Sequence, residues 1–460
     1  MKLTKTLAFF GLILLLLATL SYFYPQKEIS FCGISWRFPS ITDIIEIKPD
    51  TSVNIDQMLS DVEASLQIVD SAEIARQDSL KFYERFFAEN PSRISLPDND
   101  PTYLFPFFDA IDSASNCLVH IMHYGDSQIE GDRITGYLRK KFQEKFGGSG
   151  PGLLPMWQPI GAHSVSQTIS DSVASYFAGG MMGKRADHKR YGAMAQMSVL
   201  EAGDSIRVTV NARQSKDFQR IIVFAGHNAD DLDISLLGSK QTLHNTNSIK
   251  HLSWFLKKPV NWLDLKFMGQ GEVYGINVDG NNGVSISNIP MRGSDGTFFT
   301  RIESNGIKEM LNYLNTKLII LEFGGNALPM MKDSADIARY CTGFIHQIDM
   351  FRRIMPDSKI IVIGTADMAV KRNGTLQTHP MLPYLVDCVR DSTVAHGAGY
   401  WDMYDVMGGY NSMKSWVSHS PAWAASDYVH FTPKGADRIA EVFWLSLMVY
   451  YDYRDMLKTD

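Results

Sequence analysis

Hydrophobic positions along the chain change period twice, and the changes divide it into parts. Residues 118–122 are an apolar run, broken only by His120, that stops at Tyr124, Gly125, Asp126, Ser127 and Gln128, the pattern of a buried strand ending in a tight turn. Ile134, Tyr137, Leu138 and Phe142 follow at helical spacing and predict a helix over residues 129–146. The glycine-rich stretch 147–152 ends it, because neither helix nor strand survives there. Between about 160 and 282 the period becomes two. Ile206, Val208 and Val210 alternate with Arg207 and Thr209, Leu232, Ile234 and Leu236 with Asp233 and Ser235, and Leu263, Leu265 and Phe267 with Asp264 and Lys266. Short strands of this kind predict an antiparallel sandwich. From 283 the alternation of strand and helix returns: strands over 317–323 and 359–364, helices over 337–354, 382–396 and 435–451. The expected fold is α/β, a parallel sheet over residues 101–160 and 283–460, with an all-β sandwich over 161–282 inserted after the first βα unit.

The N-terminus has a different pattern. Residues 6–26 carry no charge, and Lys2 and Lys5 precede them, which predicts a transmembrane helix with the N-terminus in the cytoplasm. A cleaved signal peptide is the rival reading, although Ser21, Tyr22, Phe23, Tyr24 and Pro25 offer no pair of small residues for a peptidase. Either way the remainder lies outside the cytoplasm. Residues 27–100 read as a membrane-proximal, partly helical spacer, closed by Asp98, Asn99, Asp100 and Pro101.

Composition narrows the choice of partner. With 45% hydrophobic and 20% charged residues the chain is globular, neither disordered nor polytopic. Its net charge of -6 and lack of a basic, aromatic-studded stripe argue against nucleic acid and suit a neutral or sugar-like ligand. The four cysteines, Cys32, Cys117, Cys341 and Cys388, show no metal or disulfide spacing.

Candidate chemistry gathers at the strand ends. Ser127, on the turn after a buried strand and near a helix N-terminus, is placed as a nucleophile or as a helix cap. Gly324, Gly325 and Asn326 follow another strand, so the Asn326 amide is either an oxyanion donor or a turn residue. Arg292, Gly293, Ser294 and Gly296 form a loop with accessible backbone N–H groups. Asp427 stands three residues before His430, a spacing that lets a carboxylate orient the imidazole through Nδ1 and leave Nε2 for a serine hydroxyl, or that makes a solvated loop pair.

Together these stretches resemble the SGNH (GDSL-type) hydrolases. Gly125-Asp126-Ser127 is similar to their first block, Gly293 to the second-block glycine, Gly324-Gly325-Asn326 to the third and Asp427-Tyr428-Val429-His430 to the fifth. Within that superfamily, the β insertion and the stretches 148–154 and 283–293 look like the peptidoglycan O-acetylesterases, which carry a carbohydrate-binding-like sandwich. The resemblance covers about residues 115–455. It implies a flavodoxin-like three-layer domain and a carboxylic ester hydrolase with Ser127, Asp427 and His430 as catalytic residues. The oxyanion hole would be made by Ser127, Gly293 and Asn326. No metal or organic cofactor is called for. The implied substrate is an acetylated polysaccharide, peptidoglycan foremost, in the bacterial cell envelope, with an O-acyltransferase or a non-catalytic polysaccharide-binding protein as alternatives. Three positions depart from the family pattern: Gln128 where many relatives have Leu, Ala327 where Asp is frequent, and Arg292 where Asn is frequent. The insertion is expected to present the glycan to Ser127, and Trp401, Trp416 and Trp423 are candidates to stack on sugar rings.

Overall fold

The computed structural model describes residues 76–458 except 373, with isolated pieces before them. Residues 1–52 and 53–460 form two units. In the first, Ile29–Phe31 pairs antiparallel with Ile34–Trp36. The expected membrane segment 6–26 and the first part of the spacer lie almost wholly outside the described residues. No described helix is long and apolar enough to cross a membrane.

Five parallel strands carry the second unit. They are β1 (Leu118–Gly125), β2 (Gly283–Pro290), β3 (Thr316–Glu322), β4 (Lys359–Ile363) and β5 (Gly399–Trp401), in the order β2-β1-β3-β4-β5. Every residue of β1 is buried because both its faces are covered. Val119 and Ile121 join Leu138 of helix α1 (Arg133–Phe146) and Phe443 of a C-terminal helix, Pro433–Lys458. Met122 and Tyr124 join Phe344 and Leu385, from the helices Ser334–Ile354 and Leu382–Ala395. The result is three layers. The strand order reverses direction about β1, and the crevice that this leaves at the carboxyl ends of β1 and β3 is where ligands bind in such sheets.

The expected boundary near residue 100 does not hold. Ile94–Ser95 pairs antiparallel with β5 as a sixth strand, and the Tyr450 hydroxyl holds both the N–H and the carbonyl of Ile94. In the preceding helix, Arg76–Glu89, Phe87 stacks on Tyr450 with ring centroids 4.8 Å apart. Its apolar face therefore completes the core beside the C-terminal helix. A hydrophobic pattern shows such a face without showing which distant partner covers it.

The insertion is a sandwich of two antiparallel sheets. One has the order Ser239–Leu243, Leu232–Leu236, Trp262–Met268, Ser205–Val210, Val165–Ile169, and the alternating apolar residues of the sequence point into the sandwich core. The other sheet includes Phe218–Asn228 and Gly271–Asp279, and it starts earlier than expected, with Gly152–Leu154 paired to Gly271–Asp279. Both its faces are buried. Ile221, Val223 and Ala225 face the sandwich core, while Ile222 and Phe224 pack with Met310 and Leu311 of the α/β part. The sandwich is thus not a detachable module. At the entrance, Val284 donates to the Gly147 carbonyl, and a side chain at Gly148, whose φ is +107°, would run into the Val284 backbone.

Candidate active site

The serine loop grows from the carboxyl end of β1. The Asp126 N–H donates to the Glu322 carbonyl at the end of β3, and the Asp126 carboxylate accepts from the Gln128 N–H at 2.9 Å, capping the turn that follows. That turn, Ser127–Asp132, is 3₁₀ and kinked. Gly131 and Asp132 adopt left-handed φ values of 69° and 66°, so α1 begins only at Arg133. The helix expected from residue 129 is shorter by one turn, and Ser127 opens the kinked turn rather than standing on the α1 dipole. Periodicity runs through such a kink because Ile129 and Ile134 are both buried.

Three side chains form one hydrogen-bonded chain. Ser127 Oγ lies 2.8 Å from His430 Nε2, and His430 Nδ1 lies 2.7 Å from Asp427 Oδ2. The other carboxylate oxygen, Oδ1, accepts the N–H groups of Val429 and His430 at 2.9 and 3.0 Å. With Asp427 as acceptor, Nδ1 carries the proton and Nε2 is left to accept from the serine hydroxyl. Partial burial pushes the Asp427 carboxyl up, but the hydrogen bonds from the His430 main chain and ring outweigh it and hold the group below the usual carboxylate value.

Two residues tie the serine loop to the histidine loop, and the sequence reading gave neither this role. The Gln128 side chain donates to the Val429 carbonyl at 2.6 Å and accepts the Phe431 N–H at 3.4 Å, so it brackets His430. The Arg133 guanidinium donates to the carbonyls of Ser127 (2.5 Å), Glu130 (2.9 Å) and Phe431 (2.9 Å). The departure from Leu at Gln128 was the signal available.

Gly293 has φ +72°, and a side chain there would strike Met181 of the sandwich, so glycine is required. Among the described residues, neither the Ser127 N–H nor the Gly293 N–H has a protein hydrogen-bond partner. Asn326 is beside them but engaged: its amide donates to Asp126 Oδ2 at 2.9 Å and to the Ser294 carbonyl at 3.1 Å. One of these bonds must yield before it can serve an oxyanion. Burial, reinforced by Glu322 and Glu130 and opposed by the Gln128 N–H and the Asn326 amide, raises the Asp126 carboxyl to about 7. Glu130 is held by Arg292 through two bonds of 2.8 and 2.5 Å. Ser127, His430, Gly293, Asn326, Met181 and Met368 face a cavity of about 450 Å³. The tryptophans do not. Trp401 and Trp416 are fully buried in the core, and Trp423 lies against His419, ring centroids 3.7 Å apart.

No protein-family model matches the chain, and no curated protein matches it. Solved structures do. A peptidoglycan O-acetylesterase aligns with 20% identity and a TM-score of 0.63, over 78% of this chain and 97% of its own. A family two carbohydrate esterase from Cellvibrio japonicus (10% identity, 63% of this chain, 99% of its own) has a TM-score of 0.25. A carbohydrate esterase family 2 enzyme from Corynascus thermopiles (9%, 61% and 99%) has one of 0.27. At those scores the last two add no weight to the first. What the first shows is the fold: this chain is folded like that peptidoglycan O-acetylesterase.

Proposed function

We propose that this chain is a serine esterase that removes O-acetyl groups from a cell-envelope saccharide, peptidoglycan foremost. The observation that carries this reading is the chain of hydrogen bonds Ser127, His430, Asp427, opening on a cavity beside two unpartnered backbone N–H groups. Ser127 Oγ attacks the ester carbonyl as its proton passes to His430 Nε2, and Asp427 stabilises the imidazolium. The Ser127 and Gly293 N–H groups receive the oxyanion, joined by the Asn326 amide once its longer bond, to Ser294, is released. His430 then protonates the departing sugar oxygen. Water, activated by the same imidazole, attacks the acetyl-serine, releases acetate and returns the proton to Ser127. Residues 6–26 would anchor the chain in the membrane with the bulk in the periplasm. The fold likeness to a peptidoglycan O-acetylesterase supports the choice of saccharide.

Ser127→Ala tests the reading. Hydrolysis of 4-nitrophenyl acetate and acetate release from O-acetylated peptidoglycan should both fall by about 10⁴-fold or more, with an unchanged circular dichroism spectrum. Equal turnover in parent and variant would remove Ser127 from the mechanism.

A further inference from the structure

A methionine of the sandwich stands at the oxyanion glycine. Met181 lines the active-site cavity with Ser127, Gly293 and Asn326, and a Cβ added to Gly293 would fall 2.3 Å from its Cγ and 2.6 Å from its Sδ. The thioether therefore lies against the Gly293 backbone, whose N–H has no protein partner among the described residues. The loop that delivers it is fastened on both sides. The Met181 N–H donates to the Arg292 carbonyl at 2.8 Å, and the Arg185 guanidinium donates to the carbonyls of Phe177 (2.9 Å), Gly179 (3.3 Å) and Gly180 (2.7 Å). Gly180 has φ +74°, and a side chain there would run into the Arg292 carbonyl, so this close approach requires glycine before Met181. Yet the side chain so placed is 82% exposed. The other methionines of the cavity differ: Met403 is 1% exposed and Met368 is half-buried. Burial does not account for Met181, and its sulfur is open to aqueous oxidants.

Resting on the esterase reading, we propose that Met181 is a reversible oxidation site through which a peroxide turns the enzyme off. A lone pair of Sδ attacks one peroxide oxygen, and the S–O bond forms as the O–O bond breaks. The departing hydroxide takes the proton from the transferred oxygen and leaves as water, so sulfur is oxidised by two electrons and the peroxide reduced by two. A methionine sulfoxide reductase reverses the step: a thiol pair gives up two electrons and becomes a disulfide, and the oxygen leaves as water. The sulfoxide is polar where the thioether was apolar, and its oxygen is a hydrogen-bond acceptor set against the Gly293 backbone, where the oxyanion must develop. It competes for the Gly293 N–H and opposes the negative charge of the transition state. The ground-state ester depends on that donor less, so the loss falls on kcat more than on KM.

The test exposes the full chain to hydrogen peroxide and follows two quantities, turnover of 4-nitrophenyl acetate and, by mass spectrometry, the sulfoxide on the peptide that carries Met181. In the parent kcat should fall by roughly 10²-fold, the cost of one oxyanion donor, in step with oxidation of that peptide. A methionine sulfoxide reductase with dithiothreitol should restore it, and dithiothreitol alone should not. Met181→Leu, measured against its own untreated sample, should keep most of its turnover under the same exposure. Equal fractional losses in parent and Met181→Leu would overturn the inference, as would full turnover in a chain whose Met181 is oxidised or a loss that the reductase does not reverse. Recovery with dithiothreitol alone would also overturn it, because the sensitive group would then be a thiol such as the exposed Cys117. A parent that hydrolyses no ester before treatment sinks the esterase reading and this inference with it. A parent that hydrolyses the ester and resists oxidation sinks this inference alone.

Discussion

The serine side and the histidine side of the site are built in opposite ways. Ser127 is rooted at the buried end of β1, and its neighbour Asp126 is 5% exposed, held by the Gln128 N–H and the Asn326 amide. His430 sits in a surface loop, and the side chain of its partner Asp427 is 49% exposed. Surroundings move the two carboxyls in opposite directions: burial lifts Asp126, whereas hydrogen bonds from His430 and Val429 hold Asp427 down. The sheet fixes one half of the site by packing. The other half depends on a few polar cross-ties for its register.

The sharpest way to break this contrast is to remove the histidine side one group at a time. His430→Ala should lower kcat/KM for an aryl acetate by about 10⁴-fold or more, since no other base stands within reach of Ser127 Oγ among the described residues. Asp427→Ala should cost clearly less, on the order of 10²-fold to 10³-fold. A half-exposed carboxylate leaves room for water to solvate the imidazolium in its place. If the two losses are equal, Asp427 acts as a shielded partner and the histidine side is not the open half described here.

The buried carboxyl offers the next largest effect, on stability. Between about pH 4, where an unfolded Asp loses its proton, and about 7, where folded Asp126 does, the folded state holds a proton that the unfolded chain has released. Stability contributed by this group therefore falls as pH rises through that window, by at most about 4 kcal/mol. Asp427, with its lowered value, acts the other way: its contribution is complete at neutral pH and is lost on acidification. Asp279 and Asp402 are also raised, each to about 6, so the parent curve alone does not isolate Asp126. The difference between parent and Asp126→Asn in urea midpoints does. It should slope between pH 4 and 7 and flatten above. A level difference across the whole range would mean that Asp126 titrates as an exposed residue.

Legibility in the sequence followed the same division. Strands buried on one face were readable, because Ile206, Val208 and Val210 alternate with polar neighbours, and the end of β1 was readable because an apolar run meets Gly125. The doubly buried sheet of the sandwich was not. With Ile221 to Ala225 all apolar, no alternation marks which residues face the α/β part. The same fact decides what excising residues 165–280 of the insertion would do. Its removal would uncover Met310 and Leu311, so loss of activity would report on folding. Ser127 and Asn326 were named from strand ends, Asp427 and His430 from their spacing and Gly293 from the family resemblance, and the fold brings all five to one cavity or its rim. What spacing could not show was the wiring: that the Asn326 amide is occupied, and that Gln128 and Arg133 span the loops. Hydrogen bonds between residues 300 apart leave no local pattern.

Gln128 gives the smallest effect and the most direct test of the cross-ties. Its side chain contacts backbone on both sides of His430, and no other described side chain does so. In Gln128→Leu the Val429 carbonyl and the Phe431 N–H lose their partner at a net cost of about 1 kcal/mol each, part of which a surface loop recovers from water. The loop should remain folded but hold His430 less well. We therefore expect roughly a tenfold drop in kcat with KM for an aryl acetate nearly unchanged, and an unfolding free energy within about 2 kcal/mol of the parent. A phosphonofluoridate that labels Ser127 reads the same defect without turnover, because labelling also needs His430 to take the serine proton. Its rate should fall in step with kcat. If kcat falls while labelling does not, Gln128 acts on a later step than activation of the serine. If neither changes, Arg133 alone is enough to register the two halves.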